Sequence, residues 1–337
     1  MNPIIKKQPL GFQWPTQDPF LFCVHHLDLY PKGNSHQGPE ASLDGRRLGQ
    51  DFDLENDWKM YHGHQVPGFP EHPHRGFETV TIVLEGFVDH HDSSGASGRY
   101  GGGDVQWMTA GSGMQHAEMF PLVHDQKDNT LHLFQIWLNL PRKDKFVEPH
   151  YKMLWNEKIP KIIYGEGNLM SEVTVIAGEY DGHRALDPAP NSWAADPNHH
   201  VDILLIKMAP GFALDLPRKS ETMIRNLYYY QGDGILVNGE SAQVGQCLQI
   251  KNVDITIKNG EGESYLLLLQ GEPIGEPVVQ YGPFVMNSEK EIQEAYMDYQ
   301  KTRFGGWPWD RSDPVNERHV GRRAAYADTT LETPLDK

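Results

Sequence analysis

The chain has 337 residues, room for two domains of ordinary size, with 38% hydrophobic and 23% charged residues. Its 46 acidic against 30 basic residues leave a net charge of −16, which argues against direct binding to a phosphate backbone. Two cysteines, Cys23 and Cys247, lie far apart in sequence, so a disulfide scaffold and a Cys-based zinc site are excluded and a reducing, cytoplasmic setting is expected.

The opening MNPIIKKQPL lacks the apolar core of a secretory leader, and none is expected. Short apolar runs then follow one another: Thr79–Val83, Val105–Met108, Leu131–Leu140, Val173–Ala177, Val201–Met208, Ile235–Val237, Cys247–Ile250 and Tyr265–Leu269. The uninterrupted apolar stretch around Tyr265–Leu269 is strand-sized, and none of these runs approaches the ~20 residues of a membrane span. Gly and Pro punctuate these runs, many alternate or are rich in β-branched and aromatic residues, and almost no helical period connects them. The expected class is therefore all-β, a sandwich or barrel. Ala185–His200, rich in Pro, Ala and Asp, reads as a loop or linker. Gly103–Asp104 and Gly232–Asp233 give the two halves a shared rhythm that hints at a duplicated barrel. Near the end, Ser288 to Glu291 form a capping-box pattern; Ile292, Ala295, Tyr296 and Tyr299 follow at helical spacing, and Gly305–Gly306 stop the helix. From Trp307 an extended arm is expected to dock on the body or on a neighbouring subunit, because two tryptophans within three residues are costly to leave in water, with its last ten residues loose.

The chain carries 17 histidines. His72-x-His74 is followed forty-two residues later by His116-x-Glu118. In a strand, residues i and i+2 share a face about 6.6 Å apart, close enough to reach one ion through bonds of ~2.0–2.2 Å. Two adjacent strands would thus supply three imidazoles and a carboxylate, a set that suits iron, nickel, copper, manganese or zinc and leaves open positions on an octahedral ion. A His-x-His pair alone is weak, since shuffling this composition gives about one by chance; His62-x-His64 reads as a loop accident or a supporting pair. The strand setting strengthens the first pair, because GGGDVQWMTAGSG is a turn, strand and turn leading straight into His116.

Other residues read more blandly. Glu78 falls on the same strand face as His72 and His74 and reads as a buried hydrogen-bonding group. One of His25 and His26 should face inward. His90 and His91 read as a solvated hairpin tip. Gln135, Trp137 and Asn139 alternate on one face and are candidates to line a pocket, while Met108 and Met114 flank the site. Cys23 and Cys247 read as buried small hydrophobes.

The stretch HPHRGFETV…GDVQWMTAGSGMQHAEM resembles the signature of the pirin family within the cupin superfamily. The likeness extends to DPFLFCVHHLDLYP, LNLPRKDKFVEPHY and GEPIGEPVVQYGPFVMNSEKEIQEA, and so covers most of the chain. It implies a bicupin: two stacked jelly-roll-like barrels followed by the helix and arm. The implied division is a metal-binding barrel over 1–165, an inter-barrel segment over 166–200, a metal-free barrel over 201–287, and helix and arm over 288–337. It implies one divalent transition metal, iron first and nickel, copper, manganese, cobalt or zinc as alternatives, held by His72, His74, His116 and Glu118. The pirin pattern gives the carboxylate role to Glu118 over Glu78. In the second half, the place of the histidine pair reads Leu214-Asp215-Leu216. The chemistry attached to several family members is quercetin dioxygenation: a flavonol and O2 are the substrates, Glu118 is the base, and the heterocycle opens with loss of carbon monoxide. Other pirins are described as metal-dependent transcriptional co-regulators that act through protein partners. A nuclear setting would apply only in a eukaryote, and the absence of a nuclear-type basic run argues against it, while an oligomer is compatible with either role.

Overall fold

The computed structural model describes residues 2–335. Most regular structure is β, as the alternating apolar runs require, and the chain forms two compact units. One contains the residues up to Val24, Trp137–Asn139 and Lys158–Gly275; the other contains His25–Ile136, Leu140–Glu157 and the chain from Glu276 onward.

The first unit is built on a seven-stranded sheet in the order Ile4–Pro9, Gln246–Ile250, Ile224–Gln231, Ser264–Gly271, Asp202–Met208, Ser171–Ala177 and Lys161–Tyr164. Facing residues such as Leu204, Ile206, Leu227, Leu248, Leu266 and Leu268 form its core, with Leu214 and Leu216 from the four-stranded sheet. Leu214-Asp215-Leu216 thus lies on a strand, Ala213–Leu216, that gives two leucines to packing. Cys23 and Cys247 are buried in this unit. Two expected boundaries need correction. The N-terminal strand Ile4–Pro9 pairs with Gln246–Ile250 of the second barrel, so it does not belong with residues 25–157. Its sequence, IIKKQP, is that of an exposed edge strand, whose lysines discourage further pairing and whose alternation is too weak to show its partner. The segment 166–200 is likewise no plain linker: Ser171–Ala177 is a buried strand of the same sheet, preceded by the short 3₁₀ turn Gly167–Leu169 and followed, after Arg184, by an irregular stretch with two more 3₁₀ turns.

In the second unit, one sheet places His150–Leu154, Asp104–Thr109, Phe77–Glu85 and the strand Asn129–Asn139 as far as Ile136 side by side. The other runs Leu331–Glu332, Arg323–Ala325, Ser97–Gly101, Phe87–Asp92, Met114–Met119 and Gly68–His74. The expected helix is present as Glu289–Thr302, with the Ser288 hydroxyl accepting from the Glu291 backbone N–H at 3.3 Å. Ile292 and Ala295 bury against Phe284 and Met286 of a short hairpin. The arm docks as expected, on its own unit: Arg323–Ala325 extends the sheet beside Ser97–Arg99. It is ordered further than expected. Leu331–Glu332 pairs back on Ala324–Ala325, and the Glu332 carboxylate accepts from the Trp155 indole at 2.8 Å, while Asp336 and Lys337 lie outside the described residues.

Candidate metal centre

Two neighbouring strands carry the centre. Gly68–His74 pairs antiparallel with Met114–Met119, and the register sets His72 directly opposite His116 and His74 opposite Met114. Alternation then turns His72, His74 and His116 to one side. Their ring centroids lie 4.4–4.9 Å apart, and one ligand nitrogen from each falls within 4.8 Å of the others. A turn ends the first strand. Gly76 sits there at φ +87°, where a Cβ would lie 2.1 Å from the Val285 carbonyl oxygen, so no other residue fits without displacing that backbone.

The rings are oriented from behind. His72 Nδ1 donates to the Pro70 carbonyl at 2.9 Å and His74 Nδ1 to the Pro283 carbonyl at 3.3 Å, which fixes the tautomer that leaves each Nε2 with its lone pair. His116 is fully buried and neither of its ring nitrogens has a hydrogen-bond partner. A buried imidazole with an unpaired nitrogen facing two others of the same kind is costly unless a metal ion supplies the partner. The donor set therefore fits a divalent transition metal. Burial, then the neighbouring imidazoles, hold His74 and His116 well below the ordinary histidine range, so both are neutral and able to ligate at pH 7.

Glu118 stands beside this trio, with its Oε2 3.7 Å from His116 Nε2. The opposite sheet grips it: the Thr81 hydroxyl donates to Oε1 at 3.2 Å, and the Gln135 amide donates to Oε2 at 2.7 Å. Burial pushes its carboxyl above the ordinary range, against the lowering effect of His90 and of these hydrogen bonds. A buried carboxylate held by neutral donors next to three imidazoles can serve as a ligand, as a proton acceptor, or as both in turn.

The remaining sequence candidates are placed as follows. Glu78 is not on the face of His72 and His74: the Gly76 turn puts it on the next strand, Phe77–Glu85, in the other sheet. There it is buried and accepts from the Thr109 hydroxyl at 2.7 Å, while Thr81 of the same strand faces Glu118. Gln135 reaches the site, but Trp137 packs on Phe22 at 4.8 Å. Met108 and Met114 are buried. His26 is the inward member of its pair, hydrogen-bonded to Tyr61 at 2.6 Å, and His25 pairs with His132 at 2.8 Å. His62 and His64 are exposed in a loop.

His90 and His91 are no solvated tip. Both are buried on the strand Phe87–Asp92, which pairs with Met114–Met119 and sets His90 opposite Glu118. The His90 ring lies 5.6 Å from that of His116, stacks on Tyr151 at 4.9 Å, and bonds Asp92 at 3.1 Å. Its polar surroundings in sequence, DHHDSSG, hide a strand that continues from Phe87–Val88; only the register beside Glu118 would have pointed to it.

So many buried neutral histidines make the metal-free protein acid-sensitive. Burial holds His26 and His91 down to a pKa of about 3, well below the ordinary histidine range near 6.5. The unfolded chain takes up protons at these sites first, so their contribution is complete above about pH 6.5 and is lost as the pH falls toward the folded value. Each should cost roughly 1 kcal/mol between pH 7.5 and 5.5. Urea unfolding in chelator at the two pH values should show this drop, and an unchanged midpoint would contradict it.

Comparison with known proteins agrees with this geometry. The chain matches the Pirin family model over residues 42–138 and the model of the Pirin C-terminal cupin domain over residues 203–305. It is 40% identical over 243 residues to a Pseudomonas aeruginosa protein bearing the provisional name quercetin 2,3-dioxygenase, covering 71% of this chain and 80% of that one. Pirin of Homo sapiens is 35% identical over 260 residues, covering 73% and 80%. Among solved structures, a quercetin 2,3-dioxygenase from Acinetobacter baumannii superposes with a TM-score of 0.72 at 26% identity, covering 91% of this chain and 99% of that one.

Proposed function

This chain belongs to the pirin family, a bicupin family, and from that premise we propose that it is a metal-dependent dioxygenase of the quercetinase type. The observation that carries this reading is the buried trio His72, His74 and His116, with the Glu118 carboxylate 3.7 Å from one of its nitrogens. The names of the Pseudomonas and Acinetobacter relatives support the reaction class.

In this reading His72, His74 and His116 hold the metal, with Glu118 as the fourth ligand. When bound, the metal supplies a Lewis-acid contact for a flavonol oxygen and an electron path between the flavonol and O2. The chain supplies the rest. Pro70 and Pro283 keep the two imidazoles turned toward the ion. Gln135 and Thr81 hold the Glu118 oxygens where a substrate hydroxyl can deliver its proton to the carboxylate. Buried Phe77 and Met114 beside the histidines keep bulk water away from the centre. The native metal is read as iron first, with nickel, copper, manganese, cobalt and zinc also suited to these donors.

The test is turnover of quercetin under air by protein loaded in turn with each of these divalent ions, with metal content measured on the same samples. Loss of the flavonol absorbance with release of carbon monoxide is expected. No turnover with any ion at full occupancy would sink the oxygenase reading and favour a metal-dependent interaction protein.

A further inference from the structure

The pirin C-terminal match ends at residue 305, yet the chain continues into an arm that hydrogen-bonds to the strands around the candidate metal centre, through Trp309 to the Asp92 carbonyl and through the Ser312 carbonyl to the Glu71 backbone N–H. We propose that Gln115 is a positioning residue through which the turn that launches this arm sets the strand carrying His116. This rests on the metal-centre reading above.

Gln115 lies between Met114 and His116, opposite Pro73 in the register, with no exposed surface. Alternation points its side chain away from His116, toward the end of the helix. Its amide nitrogen donates to the carbonyls of Arg303 at 2.8 Å and Gly306 at 3.0 Å, and its amide oxygen accepts from the Tyr299 hydroxyl at 2.9 Å. The turn it grips is strained. Arg303, Phe304, Gly305 and Gly306 all have positive φ, at 50°, 46°, 95° and 89°. Two of these are not glycine, and such a turn persists only where its surroundings over-determine it. Gln115 is one such restraint. Another is the Phe304 ring, seated on Gly113 so closely that a Cβ there would lie 2.6 Å from it, with the Arg75 guanidinium 4.4 Å above its centre.

A second tie holds the other neighbour of His116. In the sheet, His116 faces Asp92, and the Asp92 carbonyl accepts from the Trp309 indole at 2.8 Å. Farther along, buried Arg99 forms a two-pronged pair with Asp89 at 2.7 Å and donates to the carbonyls of Asn316 at 3.0 Å and Val320 at 2.9 Å. His116 is thus flanked along its strand and across the sheet by residues bonded to the arm or to the turn that launches it. None of these contacts reaches the ligand nitrogen; they act on where the backbone places it.

The experiment uses the full-length chain with Gln115→Met, which keeps length and apolar volume but removes all three hydrogen bonds, and with the milder Tyr299→Phe. Copper(II) and nickel(II) affinities are read by titration calorimetry, the Cu(II) site by electron paramagnetic resonance, and apo stability by thermal unfolding. Gln115→Met is expected to weaken metal binding about ten- to a hundred-fold, the range for groups that orient ligands, and to shift the Cu(II) hyperfine pattern. Tyr299→Phe should do so in the same direction by several-fold, and it decides the matter should Gln115→Met fail to fold. A purely structural role would lower the unfolding temperature yet leave affinity and spectrum as in wild type, and that result overturns the proposal. If the wild-type chain takes up neither ion, the metal-centre reading itself falls and this proposal with it.

Discussion

Replacing His74 by alanine is expected to weaken metal binding by at least ~100-fold while the protein still folds. The loss follows from the donor count. His72, His74 and His116 bring one nitrogen each within 4.8 Å of the others, and no other histidine joins that group among the described residues. Removal of one ligand should exceed the ~10–100-fold typical of losses at groups that merely support a ligand. The fold should survive because the strand's pairing is made by its backbone and does not depend on the His74 side chain. Its backbone stays paired opposite Met114, and its side-chain bond to Pro283 is long, at 3.3 Å. Metal content after dialysis, with circular dichroism on the same sample, checks both halves. A folded variant that retains a full equivalent would remove His74 from the ligand set, and an unfolded one would make the centre structural.

Glu118→Gln is expected to cost turnover far more than it costs metal. Glutamine keeps the size and one weak oxygen ligand, so binding should weaken by roughly 10–100-fold. Basicity disappears, and flavonol turnover at saturating metal should fall by a further ~10²–10⁴, the usual contribution of a positioned acid–base group. A metal-bound carboxylate is ordinarily a poor base, because the cation favours its charged form. In this protein burial raises the Glu118 carboxyl and so works the other way. The Gln135 amide at 2.7 Å holds Oε2 on the side of His116. The rate of quercetin loss, with occupancy measured in parallel, decides the matter. Wild-type turnover by a fully loaded variant would exclude Glu118 as the base.

Much of this protein was determined locally and is therefore legible in the chain. The strands Phe77–Glu85, Asp104–Thr109 and Ser264–Gly271 follow from alternating or continuous apolar runs between turn residues. The helix Glu289–Thr302 follows from its capping box and helical period, and His72, His74, His116 and Glu118 follow from a spacing that a two-residue strand repeat turns to one side. What the chain did not disclose depends on pairing between distant segments. Ile4–Pro9 carries no mark of its distant partner Gln246–Ile250, because an edge strand needs only backbone hydrogen bonds. His90 looked solvated because its neighbours in sequence are polar, whereas its burial is decided by the strand on which Glu118 lies. Glu78 was misplaced by a count of residues that ran through Gly76, where a positive φ and the approach of Val285 send the chain into the other sheet. The Gln115 amide meets the Arg303 carbonyl 188 residues away. Local propensity specifies which face a side chain takes on its own strand, but only the assembled sheets decide which strand lies opposite and therefore what that face meets.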